Sequence, residues 1–109
     1  LGGIDTDGGH VYSLDSAGGS IRDDYVSTGS GSPYAYGVLE DHYVPDMEEQ
    51  DAVDLAVRGL NAAMRRDSAS GDGYAVAVIN KDGFRELTAE ETLARAQAIG
   101  LRVGYVLQK

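Results

Sequence analysis

Residues 27–33 read Ser27-Thr28-Gly29-Ser30-Gly31-Ser32-Pro33, which places small hydroxyl side chains and glycines directly before a proline. Proline suits the first turn of a helix, where N–H groups have no partner within the helix, and serine is a favoured N-cap. We therefore predict a helix over residues 33–43 with Ser32 as its N-cap. Ser30 then lies in a turn that glycines keep open and toward which the helix directs unpaired amides.

A second segment of the same kind, Asp67-Ser68-Ala69-Ser70, follows a long amphipathic stretch over residues 47–66. Apolar residues recur there at helical spacing, which predicts a second helix. Its inward face is expected to hold Val53, Ala56, Val57, Leu60, Ala63 and Met64, and its outward face Asp51, Asp54, Arg58, Asn61 and Arg65. A carboxylate and two hydroxyls in one turn can orient an amine or a hydroxyl for proton transfer. Taken alone, an ordinary polar turn explains Asp67 and Ser70 more simply.

The flanking segments predict strands and one further helix. Strands are expected over residues 10–15 and 20–27, from alternation, and over 74–79, where a valine-rich run indicates burial on both faces. A turn at residues 80–83 leads into a strand over 84–87, which makes a hairpin. Thr88 and Glu91 form a capping box for a helix that ends near Gly100, and residues 103–107 predict a last strand. Strand pairs alternating with helices predict an α+β fold with antiparallel sheets.

Composition limits the classes of function. The chain has 109 residues, which is enough for one small domain, and its net charge of −9 disfavours nucleic acid as a partner. It has no cysteine for disulfides or thiolate sites, and it has no apolar run long enough to cross a membrane. The excess of acidic residues fits either ordinary solubility or adaptation to high salt, where screening relieves repulsion between carboxylates.

Neither a metal site nor a cofactor site is predicted. His10 and His42 belong to different predicted elements. The stretch beginning at Asp5 fails as a calcium loop because its glycine comes too early and Ser16 stands where a glutamate is needed. Residues 7–15 resemble one strand pair of a β-propeller blade, but the pattern does not recur along the chain.

Taken together, the two small-residue segments resemble archaeal-type β subunits of the proteasome. The resemblance is carried by Gly29-Ser30-Gly31-Ser32-Pro33-Tyr34-Ala35-Tyr36-Gly37-Val38-Leu39-Glu40, Asp54-Leu55-Ala56 and Arg66-Asp67-Ser68-Ala69-Ser70-Gly71-Asp72. It extends over about residues 2–87 and is specific to the C-terminal half of those subunits. The α subunits of the same family share a Gly-Ser-Gly turn but typically lack the Asp-Ser-Ala-Ser element, so Asp67 and Ser70 indicate the β type.

The resemblance implies an N-terminal nucleophile hydrolase, a threonine-type endopeptidase that cleaves unfolded polypeptide without a cofactor. In that family a threonine at the mature N-terminus attacks the peptide carbonyl, and a backbone amide stabilises the oxyanion. Residues matching Ser30, Asp67 and Ser70 form a supporting hydrogen-bond cluster around that threonine. The implied fold is a four-layer αββα sandwich, of which residues 1–109 would be a single partial domain. The implied setting is cytoplasmic, in rings with other β and α subunits.

The resemblance leaves the nucleophile unaccounted for. The chain begins at Leu1, and Thr6, Thr28, Thr88 and Thr92 are all internal, so none offers a free α-amine. We therefore expect the chain alone to be inactive and to need the N-terminal half of a β subunit as its partner. The alternative is a non-catalytic interaction or assembly module that has kept this half of the fold.

Overall fold

The computed structural model describes residues 1–14, 16–66 and 75–101. Its elements in chain order are β1 (Gly2–Asp5), β2 (Gly8–Leu14), β3 (Ser20–Asp23), α1 (Ser32–His42), α2 (Glu49–Arg66), β4 (Ala77–Asn80), β5 (Gly83–Glu86) and α3 (Ala89–Ala98). The strands form two antiparallel sheets, β1-β2-β3 and β4-β5, which confirms the α+β prediction. The predicted strand over 103–107 lies outside the described residues. Within the described ranges, no helix is long and apolar enough to cross a membrane.

Strand β1 was not predicted, because Gly2 and Gly3 give it little strand propensity. It pairs with β2 from Gly2 opposite Val11 to Asp5 opposite Gly8. The strand predicted from residue 10 begins two residues earlier, because Gly8 and Gly9 open β2, and Gly8 has a φ of 116°.

The turns of the β1-β2 and β4-β5 hairpins have the same construction, which gives a sequence signal that could have revealed β1. In Asp5-Thr6-Asp7-Gly8 the Asp7 N–H donates to Asp5 Oδ1 at 2.8 Å. In Asn80-Lys81-Asp82-Gly83 the Asp82 N–H donates to Asn80 Oδ1 at 2.9 Å. In each turn a glycine with φ of 116° follows, a conformation that side chains disfavour. The hairpin predicted at 80–83 is therefore confirmed, and the same pattern at 5–8 makes a second one.

Two expectations about the segment before α1 were wrong. The strand predicted over 20–27 ends at Asp23, so residues 24–31 form a connection rather than a strand. The N-cap of α1 is Gly31 and not Ser32, and no side chain caps the helix by a hydrogen bond. Instead of a side-chain cap, the first turn of α1 has a backbone hydrogen bond, in which the Tyr34 N–H donates to the Gly31 carbonyl at 3.1 Å.

The predicted burial of β4 and of α2 was only partly correct. In β4, Ala77 is exposed and Ile79 is 45% exposed, so one face of that strand lies open among the described residues. In α2 the buried residues are Leu55, Val57, Gly59, Asn61 and Ala63, whereas Ala56 is exposed. The reason is that α2 packs on α1 along one side and on α3 along another. Its buried residues therefore cover more than one helical face and do not coincide with the apolar face predicted from the sequence.

The core lies where α2, α3 and the second sheet meet. Val57 and Ala96 are fully buried there and pack with Val76 and Leu87. A bidentate ion pair at the same junction joins the helices, since Arg95 Nε donates to Asp54 Oδ1 at 2.8 Å and Arg95 Nη2 to Asp54 Oδ2 at 2.7 Å. This contact holds the pKa of Arg95 above its ordinary value, chiefly through the hydrogen bond to Asp54. Asp54 was assigned from sequence to the outward face, and that assignment missed the pair.

The capping box of α3 is confirmed. The Glu91 N–H donates to Thr88 Oγ1 at 3.1 Å, and the Thr88 N–H donates to Glu91 Oε1 at 3.0 Å. The pKa of Glu91 is lowered, first by the Thr88 backbone amide and then by Arg85. Gly100, with φ of 79°, follows the C-cap Ile99, as the sequence predicted.

The capping box predicts a pH dependence of stability. Because the pKa of Glu91 is lower in the folded chain, its contribution is complete above its unfolded pKa near 4.5 and is lost as pH falls through the folded value. Urea titrations at pH 7 and below pH 4 should therefore show a smaller acid-induced loss of stability in Glu91→Gln, whose amide can still accept the cap bond. Thr88→Ala should cost about 1 kcal/mol at neutral pH. An unaltered acid dependence in Glu91→Gln would contradict the assignment.

Two glycines are expected to respond in opposite ways to substitution by alanine, Gly59 where α2 packs on α1 and Gly100 after the C-cap of α3. A Cβ on Gly59 would lie 3.8 Å from the Ala35 Cβ, an ordinary contact distance. Gly59→Ala should therefore stabilise the chain by about 0.5–1 kcal/mol, because alanine suits a helix interior better. Gly100→Ala should destabilise it by about 1 kcal/mol, because its φ of 79° is left-handed. Urea denaturation of both variants checks the pair, and destabilisation by Gly59→Ala would show that the helices cannot accept the extra methyl group.

Candidate functional site

Ser30 lies on an exposed turn at the start of α1. The turn covers residues 29–32 and is closed by the Ser32 N–H, which donates to the Gly29 carbonyl at 3.1 Å. Gly29 has a φ of 97°, which a glycine adopts without strain, and Gly31 is buried behind the turn. The Ser30 side chain is thereby displayed at a helix N-terminus, where a hydroxyl can donate to or accept from a reacting group.

Asp67 and Ser70, the other two predicted site residues, lie outside the described residues. The described chain reaches Arg66, the last residue of α2, directly before Asp67. Ala35, in the first turn of α1, contacts Gly59, which lies seven residues and so about two helical turns before α2 ends. The start of α1 and the end of α2 are thus parts of one packed helix pair.

Three tyrosines form a cluster beside the segment that carries Ser30. The ring of Tyr25 lies 5.0 Å from that of Tyr43 and 6.3 Å from that of Tyr36, measured between centroids. Burial is the main cause that raises the pKa of both Tyr25 and Tyr43, and nearby carboxylates, including Asp24, add to it. Their phenols therefore stay protonated and uncharged at neutral pH. No local pattern joins Tyr25 to Tyr36 and Tyr43, so this cluster was not predicted.

A cavity of about 720 Å³ lies between the first sheet, α2 and β4. Its apolar wall comes from Val53, Ala56 and Val78, and the ends of β3 and α1 add Tyr25 and Tyr43. Charged residues also line it, namely Arg22, Asp23, Asp24, Asp46 and Glu49. Acidic groups outnumber basic ones among them.

His10 and Asp5 form a polar pair on the first hairpin. His10 Nε2 lies 2.9 Å from Asp5 Oδ1, so this nitrogen carries the proton that the carboxylate accepts. The bond from His10, followed by the Asp7 amide, lowers the pKa of Asp5. His42 instead lies 3.5 Å from Asp41 on α1. Across residues 1–14, 16–66 and 75–101, no group of histidine and acidic side chains is arranged to hold a metal ion.

Comparison with known proteins gives consistent matches. A sequence model of the family described as "Proteasome subunit" matches residues 1–79. The chain is 57% identical over 91 residues to a "Proteasome subunit beta" of Methanosphaerula palustris, covering 83% of this chain and 43% of that protein. For the protein of the same name from Archaeoglobus profundus the identity is 58% over 92 residues, covering 84% and 43%. For that of Thermoplasma acidophilum it is 51% over 102 residues, covering 93% and 48%.

The relatives are longer than this chain. The chain spans less than half the length of each of the three and corresponds to their C-terminal part. The match to the Methanosphaerula protein covers 91 of 109 residues, so any placement of it includes residues 19–91. Ser30, Asp67 and Ser70 therefore all fall within the region of similarity.

Proposed function

Since the chain belongs to the proteasome subunit family, we propose that it forms the C-terminal part of a β-type subunit whose activity is that of a threonine-type endopeptidase. The observation that carries this proposal is the identity of 57% to a proteasome β subunit across a region that includes both small-residue segments. Ser30, Asp67 and Ser70 are proposed to form the supporting cluster, with no metal or cofactor taking part.

In this proposal the nucleophile belongs to the rest of the subunit. A threonine hydroxyl attacks the peptide carbonyl, and its own α-amine accepts the proton and later returns it to the leaving amine. The Asp67 carboxylate accepts hydrogen bonds from that amine and so favours its protonated form as charge develops. The hydroxyls of Ser30 and Ser70 orient the amine and the threonine hydroxyl through hydrogen bonds. The exposed turn at Ser30, which ends at a helix N-terminus, is compatible with this role.

The strand edges support a partner that supplies the missing half. The Leu87 N–H donates to the Val76 carbonyl, so by alternation Ala77 and Ile79 direct their backbone groups away from β5. The Tyr12 N–H donates to the Leu1 carbonyl, so Gly2 and Ile4 likewise direct theirs away from β2. No described strand pairs with either of these edges.

The residues of β4 support the proposal that its free edge lies in the interior of the complete subunit. Natural edge strands are commonly protected by charge. That protection is present on β3, with Arg22 and Asp23, and on β5, with Arg85 and Glu86. It is absent from Ala77, Val78 and Ile79 of β4, and β1 and β4 lie against one another beside the cavity. We propose that the N-terminal half of a β subunit adds strands to these two edges.

Several finer features belong to the same proposal. The complete subunit would assemble in the cytoplasm with other β and α proteasome subunits and degrade unfolded polypeptide. The net charge of −9 is compatible with an archaeon that lives at high salt. Nucleic acid is not a proposed partner.

A chimeric subunit tests the proposal. The N-terminal part of the Methanosphaerula palustris relative, ending where its similarity to this chain begins, would be joined to residues 1–109 and compared with the intact relative in a fluorogenic peptide assay. Assembly into the same particle with peptidase activity is the expected result, and the N-terminal threonine changed to alanine is the control. Assembly without activity would favour the non-catalytic assembly module. Failure to assemble beside an active relative would refute the placement in a β subunit.

A further inference from the structure

The segment over residues 24–31 joins β3 to α1 and carries Ser30 at its far end. That end is fixed, because the turn over residues 29–32 leads directly into α1. The near end is fixed by Tyr25, whose ring packs on Tyr43, the C-cap of α1, and on Tyr36 within α1. The segment therefore runs back along α1 toward its N-terminal end.

The segment is held on α1 at both ends. Tyr36 lies about 6 Å and Tyr43 about 16 Å along the helix from Ser32, and Tyr25 contacts both rings, so its side chain lies beside the middle of α1. Five residues, the separation of Tyr25 from Ser30, span at most about 17 Å when fully extended, so the chain reaches Ser30 from there. At the other end the Ser32 N–H closes the Ser30 turn by donating to the Gly29 carbonyl. Loss of the Tyr25 contacts would leave that turn held from one side only.

We propose that Tyr25 is a positioning residue for Ser30: by packing against Tyr36 and Tyr43 it holds the near end of the segment on α1 and so limits the motion of the Ser30 turn. The role in catalysis rests on the proposed function, whereas the anchoring itself does not. Because the rings are apolar where they meet, the anchor requires an aromatic ring at position 25 and does not require its hydroxyl. A leucine fills less of the space and loses the ring contacts.

Backbone dynamics of the 109-residue chain test the anchoring without any activity assay. The ¹⁵N order parameter of the Ser30 N–H should lie near the rigid value of about 0.85 in the unaltered chain and in Tyr25→Phe, and should fall below about 0.6 in Tyr25→Leu. Tyr34→Leu is the matched control, because Tyr34 lies on α1 but is 43% exposed. Equal order parameters in all four chains, or an equal fall in Tyr34→Leu, would overturn the proposal. If Tyr25→Leu does not fold, Tyr36→Leu and Tyr43→Leu provide the same test from the other side.

Kinetics of the chimeric subunit then test the link to Ser30. Tyr25→Leu should lower kcat about tenfold with KM unchanged, and Tyr25→Phe should restore it, because two lost ring contacts weaken the positioning of a supporting group without altering substrate binding. A fall in kcat that Tyr25→Phe does not restore, or a change in KM alone, would refute the positioning role. An inactive chimera would refute the proposed function while leaving the result on anchoring intact.

Discussion

Val57→Asp is expected to leave the chain unfolded at 25 °C. Val57 is fully buried in the cluster that joins α2, α3 and the second sheet, where Val76, Leu87 and Ala96 surround it. A carboxylate there would lose its hydration, and the surrounding apolar side chains offer it no hydrogen bond. The cost of several kcal/mol is comparable with the total stability of about 5–15 kcal/mol that small domains possess.

Circular dichroism in a urea titration checks this result, and the neighbouring residue supplies a matched control. Ala56 is exposed on the same helix, so Ala56→Asp introduces the same charge without burial and should cost less than about 1 kcal/mol. Val57→Ala should cost about 2 kcal/mol, because it removes two buried methyl groups and leaves a small cavity. Equal urea midpoints for Val57→Asp and Ala56→Asp would contradict the position of the core.

Asp67→Asn in the chimeric subunit is expected to lower kcat by about 100-fold or more with assembly unchanged. The proposed role of the carboxylate is to accept hydrogen bonds from the protonated amine that forms during attack. An asparagine amide accepts through one oxygen only and carries no charge, so it stabilises that cation much less. Because the two side chains are nearly isosteric, the change should spare folding and particle assembly.

Single-turnover kinetics with a fluorogenic peptide measure this loss, and native electrophoresis reports assembly. Asp82→Asn is the control, because Asp82 lies on the exposed turn between β4 and β5 and an asparagine before Gly83 suits that turn. An unchanged kcat for Asp67→Asn in assembled particles would remove Asp67 from the proposed cluster. A fall in both variants would indicate a general effect of lost charge.

Much of the secondary structure could be predicted because its signals are local. The capping box of Thr88 and Glu91, the glycine after Ile99 and the turn over 80–83 each act within four residues. The strands were harder to predict, because a strand is stabilised by its neighbour across the sheet. Thus β1 forms despite two glycines, because β2 pairs with it. The segment after Asp23 does not continue β3, even though its side chains suit a strand.

The candidate site likewise has one residue that a local pattern predicted and a long-range contact beside it that no local pattern predicted. Ser30 was predicted from its place between two glycines before a helix, and the structure puts it on an exposed turn at the start of α1. Whether Asp67 and Ser70 approach it remains a prediction. The packing of Tyr25 on Tyr43 joins residues 18 positions apart, and no spacing rule indicates such a contact.

The sequence by itself determined the family, the α+β class, both ends of α3 and the turn over 80–83, because each depends on motifs or on residues close together along the chain. Tertiary structure alone decided which side chains are buried. It placed Asn61 in the interior and left Ala56 outside, and it paired Asp54 with Arg95 across 41 positions of sequence. Helical periodicity shows that a helix has an apolar face, but burial depends on how many neighbours approach and from which side. For α2 those neighbours are α1 and α3, and their approach is set by the packing of the whole chain.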